Sequence, residues 1–371
     1  MSEYGIPVVW SPTTREHDPR HEVWVGAATP ATEVAQRVDA ILGALVRDGH
    51  RPVEAPTHPD DVLATVHTPE LLRFLRGAAR RWGEGPYADL VGQDRVVPYL
   101  FPTPAMTAGL PARPAVAVHA DAGRFGYDTM TLVGPGTWAA ARAAVDCALG
   151  AVDLLGTVDP MGGEERLVYA LCRPPGHHAT PAGYGGSCYL NSAAVAAEAL
   201  RRSGAERVGI VDLDAHPGNG TSAIFYDRAD VLYGSVHIDP AAGWFPHVVG
   251  YADETGTGGG AGANLNLPLP EGASDGRWLE AVRRLAGWVA AEGCTALVVS
   301  LGVDAAAQDP ESPLQVTSEG YLDAGSLLGA TGLPAVVVQE GGYHLPSLGD
   351  LVASYLAGHA NASGTGVARL P

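Results

Sequence analysis

The sequence contains little cysteine, and this scarcity excludes several classes of small protein. Only four cysteines occur in 371 residues, at positions 147, 172, 188 and 294, and no two of them form a CxxC pair. This spacing indicates neither a disulfide framework nor a zinc knuckle. We therefore predict a reduced, cytoplasmic setting for the protein.

Positive charge is also scarce. The chain has 23 Lys and Arg residues against 41 Asp and Glu residues, which gives a formal net charge of −18. Because binding to nucleic-acid phosphates needs clustered basic side chains, we expect no nucleic-acid partner. A small cationic substrate is compatible with this charge, although acidity that serves only solubility is the alternative interpretation.

Long apolar segments are absent as well. The sequence has no run of 18 apolar residues, and its first residues lack the basic region and apolar core of a signal peptide. Segments of these kinds are needed to span a bilayer or to direct export. We therefore expect no membrane association and no standard export signal.

The organisation of the chain favours one large α/β domain over residues 1–371, because no internal repeat or long charged linker divides it. The stretch 82–128 stands apart, with six prolines and no helical or strand periodicity. Apolar side chains such as Phe101 and Met106 favour an inserted, irregular lobe that docks on the main body over a disordered linker.

Helical and strand patterns alternate regularly from residue 137 onward. Helices are predicted at 137–155, 191–203, 219–228, 274–292, 318–330 and 347–358, and strands at 166–172, 207–213, 231–237, 296–302 and 335–339. A strand at 5–10 and helices at 32–48 and 60–79 precede them. Such alternation is typical of an α/β fold with a mainly parallel sheet and helices on both faces, where ligands bind beyond the carboxyl ends of the strands.

The stretch VGIVDLDAHPGNGT at 208–221 carries the first chemical signal. Asp212, Asp214 and His216 fall at every second position where a buried strand runs into a loop, so their side chains can converge on one point. Two carboxylates and an imidazole in that arrangement suggest a divalent cation. The alternative is a loop in which an acidic residue only caps the following helix.

Other predicted strands are followed by polar residues of the same kind. The strand LVYALC leads into Arg173-Pro174-Pro175-Gly176-His177-His178, ALVVSLG leads to Asp304, and AVVVQ leads to Glu340-Gly341-Gly342-Tyr343. Asp214, His216 and Asp304 would supply the three protein ligands of a catalytic zinc. His177 or His178 would serve as the base, and the Tyr343 phenol would donate to an oxyanion. The set predicts amide hydrolysis.

Five motifs, in order RPPGHH, DLDAH-x-GNGT, SVHIDP, LGVD-x4-DP and QEGGY, give the chain a recognisable pattern. It resembles the zinc-dependent histone deacetylase superfamily, and within it the bacterial acetylpolyamine amidohydrolase branch. The resemblance implies the arginase/deacetylase α/β fold, a zinc-dependent deacetylase, a small acylated amine as substrate, and a homodimer to which the lobe contributes. Acetyl-lysine in proteins and an N-acylated biosynthetic intermediate remain alternative substrates.

The resemblance also implies roles for individual residues. Zinc is expected at Asp214, His216 and Asp304, His178 is the principal proton shuttle, and His177 is its electrostatic partner. Asp212 should pair with His177, and Asn219 with His178. Potassium is expected near Asp212, Asp214, His216 and Ser235. The expected substrate tunnel contains Gly186, Ser187 and Phe245.

Two positions depart from the family pattern. Pro217 stands where the family usually has a second histidine, which we expect to change the rigidity of the loop and not the metal. Ser187 stands where an aromatic residue commonly lines the tunnel, so a wider entrance is expected unless Tyr184 or Trp244 restores the wall.

Two rival interpretations remain. An arginase-type ureohydrolase would bind two manganese ions, but Gly218 and Ala306 stand where additional carboxylate ligands would be needed. A binding protein that keeps the fold without the reaction should have lost a ligand, the shuttle histidine or the tyrosine. None of these residues is lost.

Overall fold

The sheet is the framework on which the rest of the molecule is built. A computed structural model describes residues 5–87, 89, 92–156 and 164–364. Within these residues, eight strands form one sheet in the order β4-β1-β5-β10-β9-β6-β7-β8, and all neighbouring strands are parallel. The strands are β1 Pro7–Trp10, β4 Arg51–Glu54, β5 Leu167–Ala170, β6 Val208–Asp212, β7 Val231–Ile238, β8 Asn264–Leu269, β9 Ala296–Leu301 and β10 Ala335–Gln339.

Alternating side chains of the central strands fill two separate apolar cores. In β9, Leu297 and Val299 face one core, whereas Val298 faces the other. Both faces are covered by α-helices, which is what buries these strands completely. The helices include Gln36–Arg47, Pro69–Gly83, Thr137–Leu154, Ser192–Arg202, Asn219–Phe225, Asp275–Ala291, Ser318–Gly329 and Leu345–Ser363. The predicted parallel α/β architecture with helices on both faces is therefore confirmed.

The helix Thr137–Leu154 shows why apolar content alone is not a membrane signal in this chain. It is buried around most of its circumference and packs against β1, β5 and the helix Ser192–Arg202. A helix that is apolar on all sides can be a core helix of a large domain. Among the helices in the described ranges, none is both long and apolar enough to cross a bilayer.

The stretch predicted as an irregular lobe has more regular structure than its composition indicates. It contains the short helices Pro104–Thr107 and Val118–Phe125, and the preceding helix continues to Gly83. Val118 and Phe125 pack into one of the two cores, so this part of the stretch is docked. Positions 88, 90 and 91 of the predicted lobe lie outside the described residues.

A two-stranded antiparallel hairpin precedes the first helix. Its strands are β2 His21–Trp24 and β3 Ala27–Pro30. Trp24 and Val25 at its tip are 59% and 82% exposed. The sequence interpretation did not include this hairpin, because its short strands lack a buried apolar face.

Candidate active site

The candidate site lies where four central strands end at the same edge of the sheet. Strands β5, β10, β9 and β6 are consecutive neighbours, and each is followed by one of the polar loops singled out in the sequence. Parallel strands place their carboxyl ends together, so residues far apart in the chain meet there. All residues predicted for the metal, the proton transfer and the substrate tunnel lie around this edge.

Asp214, His216 and Asp304 form a compact cluster of possible metal ligands. One ligand atom from each residue lies within 4.8 Å of the others. The Nδ1 atom of His216 is 3.2 Å from Asp214 Oδ1 and 3.2 Å from Asp304 Oδ2. Backbone amides position the carboxylates, because Gly341 N donates to Asp214 and Ala215 N donates to Asp304, each at 2.8 Å. The loops after β6, β9 and β10 are thus joined through the ligands themselves.

The electrostatics of this cluster fit a divalent cation. Burial, together with the neighbouring charge of Asp214, raises the pKa of Asp304 to about 7. Burial disfavours a charged His216, but hydrogen bonds that its ring donates to Asp214 and Asp304 raise the pKa of the imidazole well above its usual value. The two buried carboxylates therefore favour positive charge next to them, and a bound cation would supply it.

His177 is held by a carboxylate. Its Nδ1 atom is 3.1 Å from Asp212 Oδ2, and its Nε2 atom is 3.7 Å from Asp214 Oδ1. The Tyr233 hydroxyl donates to the same Asp212 oxygen at 3.0 Å. Burial opposes charge on the ring, yet Asp214 and Asp212 raise the pKa of His177 to about 10. The arrangement favours a charged His177 imidazole.

His178 is in a different environment, although its ring centre is only 4.0 Å from that of His177. Its Nδ1 atom is 2.7 Å from Asn219 Oδ1, which is a neutral acceptor. Burial lowers the pKa of His178 well below its usual value, and the neighbouring His177 and His216 lower it further. Adjacent histidines with opposite pKa shifts are the expected arrangement for one charged partner and one neutral base.

A second group of possible ligands lies next to the first. His177, Cys188 and Glu340 also bring ligand atoms within 4.8 Å of one another, and all three are buried. Glu340 Oε2 is already occupied, because it accepts from Gly176 N at 2.7 Å and His177 N at 3.1 Å. Burial raises the pKa of Cys188 well above its usual value, so the thiolate needed for metal binding is disfavoured. This group fixes the two-histidine loop and is a poor second metal site.

A narrow cavity of about 50 Å³ leads to the cluster. His178, His216 and Tyr343 line it together with the three predicted tunnel residues Gly186, Ser187 and Phe245. Gly186 has φ +55°, and a Cβ atom there would lie 2.3 Å from the His178 ring. A larger residue at 186 would therefore displace the histidine.

Neither of the two aromatic residues that could replace the wall at Ser187, Tyr184 and Trp244, lines the cavity. Tyr184 is completely buried and stacks on Phe74, and Trp244 packs against the apolar core, so neither lines the cavity. Met130 and Ser187 lie on the cavity wall instead. The entrance is therefore aromatic at Phe245, which stacks with Tyr127 at 6.3 Å between ring centres.

The surroundings of Tyr343 depend on residues that the sequence interpretation did not identify. Asp309 Oδ2 accepts hydrogen bonds from Tyr343 N at 2.6 Å and His344 N at 3.0 Å. Arg37 donates to Gly342 O at 2.6 Å and Glu340 O at 2.5 Å, and its guanidinium carbon lies 4.8 Å from the centre of the Tyr343 ring. These contacts hold the strand-end loop that carries the phenol.

One sequence signal could have identified Arg37. It shares the buried helix face with Ile41 and Leu45 at four-residue spacing, and Glu33 lies one turn before it. Glu33 pairs with both Arg37 and Arg173 beneath the surface. A charged residue on the apolar face of a predicted helix therefore indicated a buried ion-pair network.

Ser235 lies beside Asp212, its register partner in the adjacent strand, and is completely buried. Its hydroxyl oxygen is 2.7 Å from His237 Nδ1. Within the described ranges, the carbonyl oxygens of Asp214 and His216 accept no hydrogen bond from the chain. Oxygen atoms of this kind are suited to a hard monovalent cation.

Comparisons with known proteins identify the family of the chain. The model of the histone deacetylase domain matches residues 31–359. The chain belongs to the histone deacetylase family, which confirms the family predicted from the five motifs. It is 37% identical to the acetylpolyamine amidohydrolase of Mycoplana ramosa, over 95% of this chain and 99% of that protein. It is 36% identical to acetylpolyamine amidohydrolase 2 of Pseudomonas aeruginosa, over 94% of this chain and 97% of that protein. A crystal structure of acetylpolyamine aminohydrolase from Burkholderia pseudomallei superposes with a TM-score of 0.88 at 37% identity, covering 96% of this chain and 99% of that one.

Proposed function

We propose that the protein is a zinc-dependent amidohydrolase that removes the acyl group from an N-acetylated amine such as an acetylpolyamine. The observation that carries the proposal is that His178, Tyr343 and the ligand residue His216 line one narrow cavity, while Asp214 and Asp304 cluster with His216. The family membership and the acetylpolyamine amidohydrolase relatives support it. We infer that the whole described chain serves one catalytic domain.

Asp214, His216 and Asp304 would hold the zinc, leaving a coordination position open. When bound, zinc polarises the acyl carbonyl and lowers the pKa of a coordinated water. The backbone donors to Asp214 and Asp304 fix the direction of each carboxylate in advance. The backbone oxygens of Asp212, Asp214 and His216, with the Ser235 hydroxyl, would hold a structural potassium ion close to these ligands.

The two histidines divide the proton chemistry. His178 is neutral and lines the cavity, and its Nδ1 is fixed by Asn219, so its Nε2 can accept a proton and return it to the leaving amine. His177 stays charged beside Asp212 and stabilises developing negative charge. Burial, opposed by Arg37, raises the pKa of Tyr343 well above its usual value, so the phenol remains a hydrogen-bond donor for the oxyanion.

We expect His178→Ala to be more damaging than His177→Ala. Loss of a general acid–base group typically costs about 10²–10⁴ in rate, whereas loss of the charged neighbour should cost less. Steady-state kcat of the two variants, each loaded with zinc, gives the comparison. A larger loss in His177→Ala would exchange the two assignments.

Acidic side chains around the cavity support a substrate with a second positive charge. Glu22 and Glu311 line it together. Burial raises the pKa of Glu22 to about 7, and the charges of Glu311 and Asp128 add to the effect. An ammonium group beyond the acyl amide would offset this concentration of negative charge. The arrangement therefore favours an acetylated diamine over acetyl-lysine within a protein or a neutral N-acylated compound.

The substrate preference can be tested with a small panel. We expect kcat/KM to fall in the order N-acetyl-1,4-diaminobutane, acetyl-lysine peptide, N-butylacetamide, and the preference for the first to shrink in Glu22→Gln and Glu311→Gln. Equal turnover of the charged and neutral amides would contradict the proposed substrate class. Absence of turnover with any of them would favour a binding protein.

Ser187 offers a test of the width of the entrance. An added aromatic wall should improve kcat/KM for linear acetylamines by about tenfold, since roughly 50 Å² of apolar contact at 25 cal/mol per Å² is involved. Ser187→Phe should therefore raise kcat/KM for linear acetylamines and exclude bulky acylamines. Ser187→Ala, which keeps the backbone at φ +61° without adding an aromatic ring, should do neither. An unchanged ratio between linear and bulky substrates in Ser187→Phe would contradict the wide entrance.

We also propose a cytoplasmic homodimer that buries the lobe. Leu110 and Val116 are 73% and 95% exposed, and Tyr99 and Met106 lie in the same stretch. Exposed apolar side chains grouped in this way mark an interaction surface. The four cysteines are free and buried, in keeping with a reducing compartment.

Light scattering at micromolar concentration should therefore give twice the mass of the chain. The double substitution Leu110→Glu with Val116→Glu should give a monomer, whereas Val46→Glu, at a half-exposed apolar position outside the lobe, should leave the dimer intact. A monomeric wild-type protein would contradict this assembly.

A further inference from the structure

A second, larger cavity borders the loop that follows the ligand His216. Its volume is about 580 Å³, and Pro217, Asn219, Ala223, Val249 and Glu254 are among the residues around it. It shares no lining residue with the narrow cavity that leads to the metal ligands. The two cavities can therefore be altered separately.

Two polar side chains on this cavity, Glu254 and Asn266, present hydrogen-bond acceptors. Both oxygens of Glu254 face Gly250 N, at 3.0 and 2.9 Å, and Oε2 also accepts from Asn266 Nδ2 at 3.1 Å. Asn266 is 3% exposed, and its Oδ1 has no hydrogen-bond partner among the described residues. A buried acceptor without a donor is costly, so a carboxylate and an unpaired amide oxygen on one cavity call for a ligand that donates.

One part of the remaining wall, formed by Pro217, Ala223 and Val249, is suited to a hydrocarbon chain. These three residues offer no side-chain hydrogen-bond donor. The cavity therefore combines an anionic, acceptor-rich part with an apolar part.

We propose that this cavity is a second, non-catalytic site for a small alkylammonium ion. The ammonium group would donate to Glu254 and to Asn266 Oδ1, and the methylene chain would lie against Pro217 and Ala223. Charge-assisted hydrogen bonds to a partly buried carboxylate are stronger than neutral ones, and the acidity of the whole chain favours a cation.

The cavity borders two residues that hold the catalytic histidines in place. Asn219, which holds His178, and Tyr233, which donates to Asp212, both line it. An ion bound there would contact the residues behind both imidazoles without entering the substrate cavity. Resting on the proposed function, we expect an ion bound there to change kcat and to leave KM unchanged. Binding of the ion itself does not depend on the proposed function.

Isothermal titration calorimetry with 1,4-diaminobutane tests the site directly. We expect the diamine to bind to the wild-type protein at constant ionic strength. We expect no binding of n-butanol, which has the alkyl chain without the charge. Glu254→Gln keeps an acceptor for Gly250 N but loses the charge, and it should weaken binding by about tenfold to a hundredfold. Ala223→Leu, which fills the cavity from an exposed helix position, should weaken binding as well.

Glu311→Gln is the matched control, because it makes the same chemical change at the other cavity and should leave this binding in place. Thermal unfolding of each variant verifies that the chain is folded. Unchanged binding in Glu254→Gln, or complete loss in Glu311→Gln, would place the amine in the substrate cavity and overturn the proposal. Equal binding of potassium chloride alone, with displacement of the diamine, would make the site one for an inorganic ion and overturn it too.

Discussion

Asp304→Ala is expected to abolish both metal binding and hydrolysis. Asp304 follows β9, whereas Asp214 and His216 follow β6, so its loss leaves only two ligands from one loop. A catalytic zinc site needs three protein ligands and an open position. Metal analysis after gel filtration should find no stoichiometric zinc, and turnover should fall to the uncatalysed background.

The variant has a structural complication that a second substitution removes. Asp304 Oδ1 accepts a hydrogen bond from Ala215 N, so alanine also loses a contact that orders the ligand loop. Asp304→Asn keeps an acceptor oxygen there while removing the negative charge, and it should also lose zinc. Asp323→Ala, at an exposed carboxylate on a neighbouring helix, should keep both zinc and activity. Full zinc occupancy in Asp304→Asn would contradict the ligand assignment.

Tyr343→Phe is expected to retain zinc but to lose about 10²–10³ in kcat, the usual cost of removing one oxyanion donor. The phenylalanine ring can keep its position beside Arg37, and Asp309 still holds the backbone of residues 343 and 344. The loss should therefore appear in kcat with little change in metal content. Steady-state kinetics with a metal assay on the same sample gives both quantities.

Tyr251→Phe is the control for that substitution. Its hydroxyl donates to His247 O on an exposed loop, away from the narrow cavity, so the same chemical change should leave kcat near the wild-type value. Nearly full turnover in Tyr343→Phe would show that another donor stabilises the oxyanion. A loss of zinc in this variant would instead assign Tyr343 a part in building the metal site.

The strands that sequence analysis placed well are those buried on both faces. The strands β6, β9 and β10 begin and end within one residue of their predicted limits, because burial on both faces demands continuous apolar residues. Strands β4 and β8 were missed. Both are at the edges of the sheet, both contain a proline, and at least half of the side chains in each are exposed or only partly buried, so their pattern is weak.

The residues of the candidate site also differ in how well the sequence predicts their positions. The residues expected to do the chemistry stand in short motifs just after strands, so their place at one sheet edge follows from the topology. The positions of the residues that support them cannot be predicted from such motifs. Arg37 reaches Gly342 across more than three hundred positions of sequence, and Asp309 reaches Tyr343 from another loop. Such contacts depend on the order of strands in the sheet, which local pattern does not encode.

A reconstitution experiment tests most directly whether the protein is a metal-dependent hydrolase with one catalytic zinc. The purified protein is stripped with a chelator and titrated with zinc while turnover of N-acetyl-1,4-diaminobutane is followed. We predict that activity disappears on stripping and returns in proportion to added zinc up to one equivalent per chain. A requirement for two metal ions would favour the arginase-type chemistry, and absence of turnover in the fully loaded protein would contradict the proposed reaction.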